Sequence, residues 1–289
     1  MIVFGSMKTI SALTAVTVAL LVGYGTARQP FAAAAVFVRK LYRSPKHLIF
    51  FMSLLLIMAL NKFELRLEAA LPVPADLTGA LAGWEGGWQG ALQRALESPS
   101  LTLVCAFFYL VVFQGFMVAS LIVYARAGND KLYYALCVAL LLNYLIAVPF
   151  YLFVPVREAW AAAPGVRFLM LDAFPSFETQ YRRLSGLDNC FPSLHTSISV
   201  TMALLAFRSG SRRWAIFGAA NAAVILFSIF YLGIHWATDM FAGLILATVV
   251  VAVGLKVGAW ADRFRLRRKS HPPVKDTFKK LAPSRLTDT

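Results

Sequence analysis

The chain has 289 residues, 59% of them hydrophobic and 15% charged, with a mean hydropathy of +0.67 and a formal net charge of +14. A soluble domain carries about 25% charged residues, so the composition excludes a protein whose main solvent is water. The charge at first suggests nucleic acid, but the placement of the 28 Lys and Arg argues against that partner.

Apolar runs long enough to cross a bilayer are predicted near 8–25, 47–66, 101–125, 132–154, 193–208, 214–233 and 237–258. The fold class expected is therefore all-α, a polytopic membrane bundle of about seven helices. Residues 1–45 form an anchor helix with a basic segment, 46–258 the catalytic membrane domain, and 259–289 a basic tail. Gly25-Thr26-Ala27 resembles a cleavage site for small residues; an uncleaved anchor is preferred, because cleavage would turn the basic stretch 28–47 outward.

Basic residues collect after the first, third, fifth and seventh runs: five in 26–47, two in 125–131, three in 208–213 and ten from Lys256 onward, or 20 of the 28. The positive-inside rule makes that side cytoplasmic and places the N-terminus outside. The tail cluster Arg263, Arg265, Arg267, Arg268 and Lys269 then faces anionic lipid. The protein is expected in the cell (inner) membrane.

Between the second and third runs, Trp84, Trp88, Leu92 and Leu96 recur at helical spacing. Either a helix lying in the membrane interface or one packed on protein satisfies that pattern. The segment 155–191 holds Arg157, Arg167, Arg182 and Arg183 on the face where few basic residues are expected, which invites an anionic ligand. Its stretch Phe168-Leu169-Met170-Leu171 suits a dip into the outer leaflet. Gly254 and Gly258 in the last run have the small-xxx-small spacing of a helix contact.

Three cysteines do not make a disulfide framework; Cys105 and Cys137 fall within spans, and Cys190 is read as a free thiol at the outer mouth. Of the four histidines, His47 and His271 lie in basic segments and are read as solvated surface residues. His195 and His235 both fall at the outer ends of spans.

The first of these is set in Asp188-Asn189-Cys190-Phe191-Pro192-Ser193-Leu194-His195. Pro192 suits a helix start. The first amides of that helix, near Ser193, Leu194 and His195, together with its dipole form a phosphate site; the Ser193 hydroxyl adds a donor, and His195 is placed to protonate a leaving oxygen. A capped helix start with a stray histidine explains the same residues.

The second is set in Tyr231-Leu232-Gly233-Ile234-His235-Trp236-Ala237-Thr238-Asp239. Spaced four apart, His235 and Asp239 share one face if helical. The carboxylate then fixes one ring nitrogen and leaves the other as a nucleophile, unless the pair is only structural. Ionisable groups within a membrane by default suggest function. Zinc held by the two histidines with Asp188 and Asp239 is disfavoured, since no His-x-x-His or Cys pair accompanies them.

Together, Phe191-Pro192-Ser193-Leu194-His195 and Tyr231-Leu232-Gly233-Ile234-His235-(x)3-Asp239 resemble the two histidine motifs of the type-2 phosphatidic acid phosphatase superfamily, most closely its inositol phosphorylceramide synthase branch. The likeness spans roughly residues 130–258. It implies His235 as the nucleophile of a phosphohistidine, Asp239 as its orienter, His195 as acid–base, and no metal or other cofactor. The commoner phosphatases have Gly where Leu194 stands and Arg where Ile229 follows Ser228, and their Lys-(x)6-Arg-Pro motif is absent here. Arg157 in Val154-Pro155-Val156-Arg157-Glu158 is the nearest substitute for the phosphate-binding guanidinium, with Arg182, Arg183 and Tyr231 also assigned to substrate. The function expected is transfer of a phosphoryl or phospho-headgroup between a lipid donor and an acceptor at the outer face. Hydrolysis of a lipid phosphate is the alternative, and a non-catalytic lipid-binding protein a lesser one. The expected partners are a lipid phosphate or phospholipid and the membrane itself.

Overall fold

A computed structural model describes residues 4–70 and 76–270; Ala69, Arg183 and residues 265–270 are described by backbone alone, and His271 with the rest of the tail lies outside the described residues. The protein is an all-α integral membrane protein. Among the described residues, six helices are long and apolar enough to cross a bilayer, and a seventh apolar helix is shorter.

The chain begins with α1 (Met7–Thr26), followed by the amphipathic α2 (Pro30–Arg43) and by α3 (Pro45–Ala70). Phe31 and Tyr42 on α2 are exposed beside its basic residues, as in a helix lying at a membrane surface. Helix α3 stands at the edge of the bundle and keeps only His47 and Glu64 buried among its described residues. His47 is thus not a solvated residue as expected: its ring nitrogens lie 3.1 Å from Asp130 Oδ1 and 2.9 Å from Ser44 Oγ, and it stacks on Tyr133. A basic sequence neighbourhood does not reveal that a helix end will be tied down by a buried carboxylate.

Two short helices cross the outer side, α4 (Thr78–Glu85) and α5 (Trp88–Leu96), broken at Gly86-Gly87. Helix α5 is inverted relative to a soluble amphipathic helix. Gln89 and Gln93 are buried, while Trp84 before it is 80% exposed and Trp88 40%. That orientation, with apolar side chains turned outward and amides turned to protein, is the one expected of the interfacial alternative.

The third span is composite: α6 (Pro99–Phe107), a π-helical turn at Phe108–Val112, and α7 (Phe113–Arg126). Helix α8 (Asp130–Phe153) follows, and an outer cap contains the short helices α9 (Met170–Ala173) and α10 (Phe177–Gln180). Phe168, Leu169 and Met170 do not dip into lipid. They are buried in a core with Phe174, Phe177 and the residues around Tyr109 of the third span, because the cap can bury that surface against protein.

Three helices close the bundle: α11 (Leu194–Phe207), α12 (Arg212–Tyr231) and α13 (Ala237–Ser270). With 14 residues, α11 is about 21 Å long at 1.5 Å per residue. That falls short of the ~30 Å hydrocarbon core, so it ends inside a protein-lined environment. Asn143 of α8 hydrogen-bonds Ser197 and Thr201 of α11, joining the two helices by side-chain polar contacts. Gly254 and Gly258 bring α13 against α8; an added Cβ at Gly258 would sit 2.4 Å from the Lys131 carbonyl.

Candidate active site

Both histidine motifs are held by the outer segment 156–160. Val156 donates its amide to Asp188 O (2.9 Å) and accepts from the Cys190 amide (3.2 Å), which fixes the approach to α11. The same segment donates from Ala159 to Ile234 O (3.0 Å) and from Trp160 to Gly233 O (2.8 Å), which fixes the turn before α13. One stretch of backbone thus sets the separation of two motifs that lie about forty residues apart in sequence.

In the second motif the Ile229 carbonyl accepts from the amides of Ile234 and His235 at 3.0 and 3.1 Å. Gly233 has φ +80°, and an added Cβ there would lie 2.4 Å from Arg167 O, so glycine is needed on both counts. Gln89 Nε2 donates to His235 O (3.0 Å), and Trp236 Nε1 donates to Arg157 O (2.8 Å).

His235 therefore stands before α13, in an extended turn, and not on the helix. Its pairing with Asp239 arises from a cap: Asp239, at the third helical position, reaches back to accept from the Trp236 amide (2.9 Å) and from His235 Nδ1 (3.3 Å) with the same oxygen. Both side chains are buried. Glu85 of α4 accepts from the amides of Ala237 and Thr238, so the positive end of α13 is already occupied by a carboxylate.

His195 lies in the first turn of α11, whose N-cap is Ser193. Pro192 sits one residue before the cap, outside the position expected for it. The His195 ring stacks on Tyr109 of the π-turn at 4.0 Å between centroids, with Nδ1 3.3 Å from the tyrosine hydroxyl; Phe113 covers it at 4.9 Å. The π-turn rotates Tyr109 onto the site, a use of π-bulges that is frequent at functional sites, and neither Tyr109 nor Gln89 was legible in the sequence. The His195 and His235 rings are 5.9 Å apart. Gly243 permits this approach, since a Cβ there would be 2.6 Å from Ser193 O, and the Ser193 amide donates to Asp239 O at 3.1 Å.

A cavity of about 370 Å³ opens onto both histidines. Leu194 and His195 face it, with Tyr109 and Tyr151 on one side and the α3 residues Met58 and Lys62 on another. Several residues assigned to substrate are engaged elsewhere. Ser193 is fully buried and its hydroxyl accepts from the Thr196 amide (3.2 Å). Tyr231 is buried with its hydroxyl 2.9 Å from Thr102 Oγ1. Ile229 is in the core, away from the cavity wall.

The described arginines of the outer segment are matched by carboxylates of the protein itself. Arg157 lies 3.6 Å from Asp188, and Arg167 pairs with Glu97 (2.5 Å) and Asp172 (3.4 Å). Arg182 clamps both oxygens of Glu158 (2.6 and 2.8 Å), also pairs with Glu178, and lies over the Phe168 and Phe177 rings. Burial works against its charge, but the hydrogen bonds to Glu158 and Glu178 more than offset this and hold the guanidinium above its usual range. Internal pairing accounts for these basic residues on the disfavoured face. The side chain of Arg183 lies outside the described set.

Cys190, His235 and Asp239 place three ligand-type atoms within 4.8 Å of one another. Burial pushes the Cys190 thiol well up, and it donates to Ile234 O at 3.6 Å, so this group is held as a neutral thiol. His235 and Asp239 are bonded to each other. The donor set is that of an oriented histidine more than that of a prepared metal site.

A family model described as the PAP2 superfamily matches residues 81–253, and the chain belongs to that superfamily. No curated protein and no solved structure matches it significantly. Members are phosphatases and phosphotransferases of lipid phosphates, and this chain is a membrane enzyme of that broad class acting on such substrates.

Proposed function

We propose that the protein is a phosphotransferase that moves a phosphoryl or phospho-headgroup from a lipid donor to a hydroxyl acceptor through a phosphohistidine on His235. The observation that carries this reading is the pair of histidine rings 5.9 Å apart at one cavity, one of them tethered to a buried aspartate. Asp239 accepts from Nδ1–H of His235, which leaves the Nε2 lone pair to attack phosphorus. As the P–N bond forms, the bond from phosphorus to the donor's leaving oxygen breaks, and His195 supplies that oxygen's proton. In the second half His195 takes the proton of the acceptor hydroxyl, whose oxygen attacks phosphorus while the P–N bond breaks.

Transfer is favoured over hydrolysis by the apolar groups at the cavity, chiefly Leu194 and Phe113, which discourage water at the intermediate. The inositol phosphorylceramide synthase-like branch fits the motif spelling. The distribution of basic residues supports an inner-membrane protein with the site on the extracytoplasmic side.

The test uses purified protein and a donor lipid labelled at phosphorus. Donor alone should be consumed slowly, leave an acid-labile label on the protein, and lose that label in His235→Ala. A hydroxyl-bearing acceptor should speed consumption and carry the label away as a new phosphoester. Rapid release of free phosphate that alcohols neither accelerate nor intercept would replace transfer by hydrolysis.

A further inference from the structure

The site has two histidines placed to move phosphate, yet among the described residues no arginine lines its cavity. Ile229 occupies the core, Arg157 is paired with Asp188 outside the cavity lining, and Arg182, itself not lining the cavity, is committed to Glu158, which does line it. Among the described residues that line the cavity, the one Lys or Arg is Lys62 of α3.

Its placement is unlike that of a stray surface lysine. Ile57, Met58, Asn61 and Lys62 all line the cavity, and their i, i+1, i+4, i+5 spacing makes them one face of α3. The face is apolar for a turn and then ends in an amide and an ammonium. Asn61 is fixed across the mouth by donating to Leu184 O at 3.2 Å. Helix α3 buries little against the bundle, so it is also the wall between this cavity and lipid. A phospholipid entering past α3 meets Ile57 and Met58 with its chains and Lys62 with its phosphate. Lys62 lies outside the stretch 81–253 that matches the superfamily.

We propose that Lys62 is the phosphate-binding cation of this enzyme, holding the anionic headgroup of the lipid donor against the two histidines. This rests on the reading of His195 and His235 as the transferring pair. The bland account is a lysine near a helix end that extends to the headgroup layer, and Arg66, exposed on the same helix and not lining the cavity, serves as its control.

The experiment measures KM and kcat for the phosphate-bearing lipid, and inhibition by free orthovanadate, in the full-length protein. A charge-assisted contact predicts that Lys62→Ala raises KM about tenfold or more and weakens vanadate inhibition by a similar factor, with kcat changing less. Lys62→Arg should restore most of both, and Arg66→Ala should match wild type. Unchanged KM and vanadate inhibition in Lys62→Ala would overturn the assignment, as would equal losses in Arg66→Ala. A rise in KM without weaker vanadate inhibition would do the same, since it puts the lysine on another part of the lipid. Turnover retained by His235→Ala would fail the histidine reading itself, whereas an inactive His235→Ala beside a normal Lys62→Ala fails only the lysine.

Discussion

At the residue scale, the site is built from capping chemistry. The Asp239 oxygen that orients His235 also accepts from the Trp236 amide, so one carboxylate both starts α13 and fixes the imidazole. Asparagine retains an acceptor for the amide but loses the charge opposite the ring. Asp239→Asn should therefore keep its melting temperature within a few degrees while turnover falls by on the order of 10³–10⁴, the cost of a misdirected tautomer in comparable sites. Mild and equal losses in Asp239→Asn and His235→Ala would identify a pair that only supports the fold. Ser193 and Tyr231 work on the same structural level: each hydroxyl is committed to the protein, which explains why a motif residue need not touch substrate.

At the element scale, close approach of helices decides where the motifs end up. Helix α13 meets α8 through Gly254 and Gly258 and meets the start of α11 through Gly243. A methyl at Gly258 collides with backbone, which cannot rotate away as a flexible side chain would. Gly258→Ala should cost about 1–3 kcal/mol of stability from overpacking, seen as a lower melting temperature in detergent. Gly79→Ala on α4, where nothing lies within 4 Å, should not. Indistinguishable melting of the two variants would remove the packing argument. The inverted helix α5 belongs to this scale too, since its buried glutamines serve carbonyls of Arg167, Tyr231 and His235 while its tryptophan faces outward.

At the scale of the whole molecule, the bundle places the 156–160 segment, both histidines and the cavity at one end, and the His47–Asp130 cluster with the basic loops at the other. The charge asymmetry predicts which end faces the cytoplasm. A cysteine substituted for Gly186 should react with an impermeant reagent added outside intact cells, and one substituted for Ser211 only after permeabilisation. The three native cysteines are buried and give a low background. Labelling in the reverse order would turn the site to the cytoplasm.

The membrane class, six of the spans and the superfamily were legible because they depend on local quantities: run length, residue type and spacing. The same spacing made His195, His235 and Asp239 candidates, and the structure brings the two histidines to one cavity with Asp239 bonded to His235. The sequence by itself could also relate the two motifs to phosphate transfer on lipids. Only the tertiary structure decided that His235 precedes its helix, that α11 is too short to cross alone, and that Phe168–Met170 packs inward. It also decided the fate of the cations. An arginine and its carboxylate can be distant in sequence, as Arg182 and Glu158 or Arg167 and Glu97 are, so no reading of spacing could show that these charges were already matched. Conversely, nothing in the spacing singles out Lys62, which comes to line the histidine cavity only because α3 packs beside α8.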